Sequence, residues 1–521
     1  MSILRSTSFF NSLGLIFSLS LSNSVWAQTP KASTQSMPLS QKVESAQQNN
    51  INKPSSSSSS SSGKLSPQDI KSIQPSSNLL LRPNKPSEVE IKLNKPITLK
   101  QAVELGLKNN RDLQAAKLGL ERAQAGLRAA QAALLPTLNT NFQFDYTHSS
   151  NSEIVNQVDF LNYQNALVTN PFVTYQPIPE DSTNLAWAIE LNYSIYNGGA
   201  RDANINKAQE QIKFNQLDIE RQIEQTTFDV TQAYYNLQNA DAQVLIAQAS
   251  VEDTTRTLRD AQLLMKAGLG TQFDVLSAEV DLSTAQQSLV QAFANQKITR
   301  KQLAQLIAVA QDVELTSADE IAEAGDWKIS LEESIAKAYT NRVELDQLLT
   351  QKEIYRQTAE VALAAIRPQV SLFANYSYLD NYNDSVGSGN GYAFGVKANW
   401  QIFDGGAAQA TAEQSYRDMD ISEVNFAKQR EAIREKVEQD YFTLKANKEN
   451  IGNTRKNVEL ASESLRLARL RFQAGVGTQT DVINSQRNLT TARSQFLQAI
   501  IGYNQSYNAL QRDVSKIYTY K

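Results

Sequence analysis

The sequence predicts a mixed fold: an all-α coiled-coil barrel joined to a transmembrane β-barrel, with four strands and several long helices per chain and closure by trimerisation. Three observations predict it. The chain repeats itself, each repeat carries a long heptad helix, and each repeat carries two strands of period two.

The chain opens with a leader and a tether. Met1 to Ala27 has one positive charge at Arg5, an apolar stretch from Leu13 to Leu21, and Val25-Trp26-Ala27 before Gln28. That pattern reads as a cleavable secretory signal over 1–27, with an apolar core too short to span a bilayer as a helix. Residues 28–96 are rich in Ser, Pro, Gln and Asn, with an unbroken serine run from Ser55 to Ser62, and read as a disordered linker.

Composition removes several function classes. The chain has 50 Lys+Arg against 54 Asp+Glu; losing Arg5 with the leader leaves 49 against 54, a net charge of −5, with no sign of nucleic-acid binding. With Cys 0 and His 1, the sequence offers no lipoprotein cysteine, no disulfide, no thiol nucleophile and no zinc cluster. No cofactor or metal is expected. The one histidine, His148, ends a strand among Thr147, Ser149 and Ser150 and reads as a solvated loop residue.

Order is expected from Ile97, and the repeat begins there. Leu99, Asn109, Leu113 and Pro136 recur 232 positions later as Leu331, Asn341, Leu345 and Pro368. Beyond a loop the offset becomes 207, as Asn192, Gly198, Gly268 and Asp274 recur at Asn399, Gly405, Gly475 and Asp481. The first copy, 97–310, therefore carries 25 more residues than the second, 329–512, the difference between 232 and 207, and they fall between Pro136 and Asn192. They are expected to form an exposed loop containing Pro171, Pro177 and Pro179. A connector, 311–328, joins the copies, and 513–521 is a tail.

The strands alternate. In copy one Leu138, Phe142, Phe144 and Tyr146 share one face, and Leu185, Trp187, Ile189, Leu191, Tyr193 and Ile195 another. In copy two the sets run Val370, Leu372, Ala374, Tyr376, Tyr378 and then Tyr392, Phe394, Val396, Ala398, Trp400, Ile402. Polar residues such as Asn139, Gln143, Glu190 and Lys397 stand between them, so each strand has one apolar and one polar face. A hairpin in a soluble sandwich would also alternate; the lengths and aromatic content favour a lipid-facing wall.

The helices carry heptads. From Ile223, steps of seven give Val230, Leu237, Val244, Val251, Leu258 and Met265, with small residues such as Ala240, Ala247 and Ala261 three places after a seam position. Copy two repeats the large edge as Val437, Leu444, Ile451, Val458, Leu465 and Phe472, with Asp440 and Asn447 interrupting the small one. A repeat held at seven implies left-handed supercoiling, and Ala200–Lys266, free of Pro and Gly, could run about 100 Å.

Turns place the boundaries. Pro136 and Pro368 end helices, and Asn197-Gly198-Gly199 and Asp404-Gly405-Gly406 turn strand back into helix. Gly268-Leu269-Gly270-Thr271 and Gly475-Val476-Gly477-Thr478 each close one helix with glycine and open the next with threonine, a helix-turn-helix tip.

Four strands cannot close a membrane barrel, because known barrels begin at eight and every edge in lipid must be paired. Two copies would give eight strands and a filled interior. Three would give twelve and a lumen.

With these residues in view, the chain resembles TolC-family outer-membrane efflux proteins from about Ile97 to Gln511. The likeness rests on Leu99-Lys100-Gln101-Ala102, Leu134-Leu135-Pro136 and Ile402-Phe403-Asp404-Gly405-Gly406, duplicated in order. Gln401 and Ser194 stand where many members have proline. The resemblance implies a homotrimer in the outer membrane, its helical barrel in the periplasm, docked to a periplasmic adaptor (membrane fusion) protein and through it to an inner-membrane pump for efflux or type I secretion. Gly268 to Thr271 and Gly475 to Thr478 match the family's adaptor-docking tips, although the same glycines would serve equally as helix caps. By the same resemblance, Asp481 lines the narrow periplasmic entrance, with Asp274 its first-copy counterpart. Asn484 stands where some relatives have a second aspartate, Gly477 where they have a gating arginine, and Phe472 where they have tyrosine.

Two other classes compete. A trimeric coiled-coil surface adhesin or structural envelope protein explains the heptads but predicts one rod without duplicated hairpins. A secreted carboxylate hydrolase explains export but predicts convergent acids and no repeat. An exit duct that is not an enzyme accounts for all three observations.

Overall fold

The computed structural model describes residues 79–514, apart from 81, 92, 311 and 383–386. The leader and the linker as far as residue 78 lie outside the described residues.

The elements run β1 (Leu93–Ile97), α1 (Leu99–Asn109), α2 (Arg111–Ala132), β2 (Thr137–His148), α3 (Ser150–Leu167), β3 (Asp181–Asn197), α4 (Ala200–Lys266) and α5 (Gln272–Leu306). After β4 (Val313–Ser317) come α6 (Leu331–Asn341), α7 (Val343–Leu363), β5 (Gln369–Asn381), β6 (Gly389–Asn399), α8 (Ala407–Gln473) and α9 (Gln479–Val514). The predicted order appears twice, and α4 and α8 are each 67 residues long. No described helix is long and apolar enough to cross a membrane.

Local chemistry explains these bounds. Thr98 and Gln101 close a capping box at the start of α1, and Asn110 caps α2 through the Leu113 amide. Both long helices start after two glycines in the left-handed region. At Gly198 no other residue fits: φ is +70° and an added Cβ would stand 2.5 Å from the Ala364 carbonyl oxygen.

The heptad seam is buried or half-buried along both long helices. Val230, Leu237, Val244 and Ala261 of α4, and Val437, Leu444, Ile451 and Leu465 of α8, are all buried. Two larger clusters lie mid-helix, around Tyr234–Leu237–Leu303 and around Val437–Tyr503–Leu510, and two smaller ones near the tips.

The four predicted strands form one antiparallel sheet in the order β2-β3-β5-β6. Its register aligns Phe142 with Trp187, Ile189 with Tyr376, and Tyr376 with Tyr392, so the apolar sets of all four strands share one face. Phe142, Tyr392 and Phe394 on that face are exposed. Both edge strands, β2 and β6, lack an outer neighbour among the described residues.

Four details differ from expectation. First, β6 stops at Asn399, leaving Trp400 and Ile402 outside the strand, because its neighbour β5 begins at Gln369, the partner of Asn399. Second, the extra residues of copy one are not wholly loop; they include the 18-residue helix α3. Third, β1 starts inside the segment read as linker and pairs in parallel with β4 in the connector, Leu93 to Val313 through Ile97 to Ser317. Fourth, His148 is not a free loop residue. Its Nδ1 lies 2.8 Å from Asp181, across the β2–β3 pair.

Candidate functional site

The helix tips are built alike. In α4 the chain turns at Gly268, φ +74°, and the Gly268 and Leu269 amides donate to the carbonyls of Met265 and Leu264. In α8 the same turn falls at Gly475, φ +74°, with the Gly475 and Val476 amides donating to Phe472 and Arg471. These bonds satisfy carbonyls that a helix end otherwise leaves bare. Leu269 and Val476 point away from the protein, largely exposed. Gly270 and Gly477 have ordinary φ, but a Cβ on either would crowd the preceding helix end at about 3.1 Å or less.

Threonine opens each returning helix. Thr271 accepts from the Asp274 amide at 3.2 Å while Asp274 accepts from the Thr271 amide at 2.9 Å. Thr478 and Asp481 repeat this box at 3.1 Å in both directions. Both aspartates are thus helix caps. The Thr478 amide and hydroxyl hold the Asp481 carboxyl below the usual aspartate range. Asp481 and Asn484 are exposed three residues apart on α9, on one face; Asp274 is half-buried.

The structure brings the two tips together, which sequence reasoning anticipated only as superposition. Arg469 of α8 donates to Asp253 of α4 at 2.8 Å, Arg487 of α9 bonds Asp281 of α5, and Thr257 donates to Gln486 at 3.2 Å. None of these contacts was foreseen. A signal was present: six acids to three bases from Glu252 to Asp281, and six bases to three acids from Arg455 to Arg487. The hairpins therefore attract. Between α4, α5 and α9, a recess of about 310 Å³ is lined by hydroxyls and by Asp281 and Arg487. Among the described residues no three His, Cys, Asp or Glu side chains could hold a metal ion.

A two-repeat chain with an uncovered apolar sheet face and long helices ending in paired tips matches the outer membrane efflux protein family model over residues 102–309 and 335–513. The chain belongs to the outer membrane efflux protein family. Its place is accordingly the outer membrane, with the helices in the periplasm, and this is a family of efflux channels and not of enzymes. Outer membrane efflux protein BepC of Brucella suis is 21% identical over 324 residues, covering 62% of this chain and 70% of the relative. Nodulation protein T of Rhizobium leguminosarum bv. trifolii is 20% identical over 415 residues, covering 78% and 83%. In fold, the chain is similar to the Campylobacter jejuni CmeC outer membrane channel, with a TM-score of 0.66, 16% identity, and coverage of 85% of this chain and 94% of that one.

Proposed function

We propose that three copies of this efflux-family chain form a passive exit duct whose glycine turns dock a periplasmic adaptor, itself joined to an inner-membrane pump of an efflux or type I secretion system. The export leader and the 28–96 tether belong to the same reading. One observation carries it: the chain satisfies only half of its own repeat. In copy two, α9 lies against α4, with bonds such as Gln505 to Asn236 at 2.8 Å and Asn508 to the Phe228 carbonyl at 3.2 Å. Among the described residues, no helix lies against the matching face of α5 in this way. Ile483 and Leu497 on α9 are each 7% exposed, while Leu276 and Val290, their counterparts 207 positions earlier, are 50% and 68% exposed. On α8, Phe442 is bare where its α4 counterpart Tyr235 is buried.

Repeating the α9–α4 contact between copies would cover the α5 and α8 faces together. In this reading the rotation of that head-to-tail interface closes, so the copies form a ring and not a filament. Three copies supply twelve strands and leave a lumen; the unpaired edges of β2 and β6 then meet. The ring brings three Asp481 side chains to the entrance, a cation-selective constriction. The adaptor would take the exposed Leu269 and Val476 and the turn backbone, a role compatible with their capping function.

The test is assembly in outer-membrane fractions. Heat-modifiable trimers are expected, and Leu276→Glu with Val290→Glu should lower their yield while leaving secondary structure unchanged. A folded monomer with unaltered membrane insertion would overturn the reading.

A further inference from the structure

The insertion confined to copy one holds a helix with an unused seam. Along α3, Ile154, Val158, Leu161, Asn165 and Val168 follow steps of four, three, four and three, and the four apolar members are each more than half exposed. That is a two-heptad a/d stripe with one asparagine at an a position, the pattern that sets register and strand number in coiled coils. Val168 is the C-cap residue, still in right-handed helical geometry.

The opposite side of α3 is already used. Asn156 bonds the Ile178 amide at 2.7 Å and carbonyl at 2.8 Å, its own carbonyl accepts from the Tyr175 hydroxyl at 2.9 Å, and Tyr163 lies 5.6 Å from the Tyr175 ring. Ser149 caps the helix, and its amide donates to the Glu180 carbonyl at 2.7 Å. The helix is thus anchored, with the seam directed away from its anchor.

We propose that three α3 helices, one from each copy, pack seam to seam over the outer mouth as a three-helix plug. This rests on the trimer proposed above. Continuity favours another copy as the occupant: α3 starts two residues after β2, the edge strand that needs a neighbour from outside the chain. Charge disfavours lipid. Residues 149–180 hold Glu153, Asp159 and Glu180 and no Lys or Arg, whereas helices that lie on membranes carry basic residues toward anionic headgroups. Reach is sufficient, since 18 residues span about 27 Å, while twelve strands about 4.8 Å apart and tilted about 40° enclose a ring roughly 24 Å across. Two heptads are too short to associate alone in water. Three copies held by one barrel meet at high effective concentration, so a weak seam suffices to close and still opens. Copy two is 25 residues shorter at this loop and has no length for a counterpart, so a trimer holds three such helices and not six.

The chain has no cysteine, so a single one reports cleanly. In native membranes under mild oxidant, Leu161→Cys should give disulfide-linked pairs, and Asp159→Cys, on the outer side of the helix, should give few. Trimer content is measured on the same samples. Trimers with strong cross-linking only at position 161 support the plug. Trimers with equal, low cross-linking at both positions overturn it and leave the duct standing. Loss of the trimer in the otherwise unaltered chain overturns both. A fluorophore on Leu161→Cys that brominated lipid quenches identifies lipid as the occupant, which also overturns the plug.

Discussion

Arg469 and Asp253 bond across 2.8 Å, tying the end of one long helix to the other 216 positions away. Both side chains are about a quarter exposed, so the pair is screened but not fully solvated. With the Arg487–Asp281 pair, it fixes how closely the two hairpins approach.

Removing the pair should loosen the entrance. In a double-mutant cycle with Asp253→Asn and Arg469→Gln, thermal unfolding of the assembled protein should give a coupling of about 0.5–1 kcal/mol that shrinks with added salt. A coupling near zero at low salt would make the contact incidental.

Asp481 should govern ion selectivity. In planar bilayers, Asp481→Ala should reduce cation preference and weaken block by trivalent cations, and Asp274→Ala should do less. The folded pKa of Asp481 is depressed by the Thr478 bonds, so its charge, and the capping it contributes, persist at neutral pH and are lost as pH falls through a value below the ordinary 3.8. Selectivity lost instead above 3.8 would mean that repulsion around a threefold ring outweighs the cap.

Glu224 predicts a stability that declines toward alkaline pH. It is buried on α4, one oxygen is unbonded, and desolvation with the nearby Glu344 and Glu220 pushes its carboxyl up to about 8 against the pull of Arg342 and Arg512. A carboxyl raised on folding stabilises fully below its unfolded pKa of about 4.5, and the gain disappears as pH climbs to about 8. Glu224→Gln should flatten that slope and add roughly 1–3 kcal/mol at pH 8. An unchanged slope in denaturant melts from pH 5 to 8 would show that the group is ionised throughout.

The two tryptophans should separate. Trp187 sits inside β3, paired on both sides and donating to Thr140 at 2.9 Å; Trp400 lies past the end of β6 and donates to the Ile366 carbonyl. Trp187→Pro should abolish membrane insertion, because proline breaks a central ladder, and Trp400→Pro should reduce it only partly. Equal loss in both would show that β6 extends once a neighbouring copy pairs with it.

Legibility followed the range of the interaction. Seam residues such as Val230 and Val437 were readable because burial every seven residues leaves a local pattern, and the capping boxes at Thr271 and Thr478 because donor and acceptor lie three residues apart. Helix α3 was missed because six of its 18 residues are Ser or Asn, which favour turns in isolation; its tertiary anchor at Asn156 overrides that preference. The pairing of β1 with β4 was invisible, since Leu93–Ile97 contains Pro96 and no alternation and finds its parallel partner about 220 positions away.

By itself, the sequence determined the duplication, the helix and strand periods, and the glycine turns that end each element, since each arises from residues within a few positions of one another. Only the tertiary structure decided that all four apolar strand faces coincide, that Asp253 meets Arg469, and that α5 is left uncovered where α9 is not. Those outcomes depend on register and packing between segments some 30 to more than 200 positions apart, which no local pattern encodes.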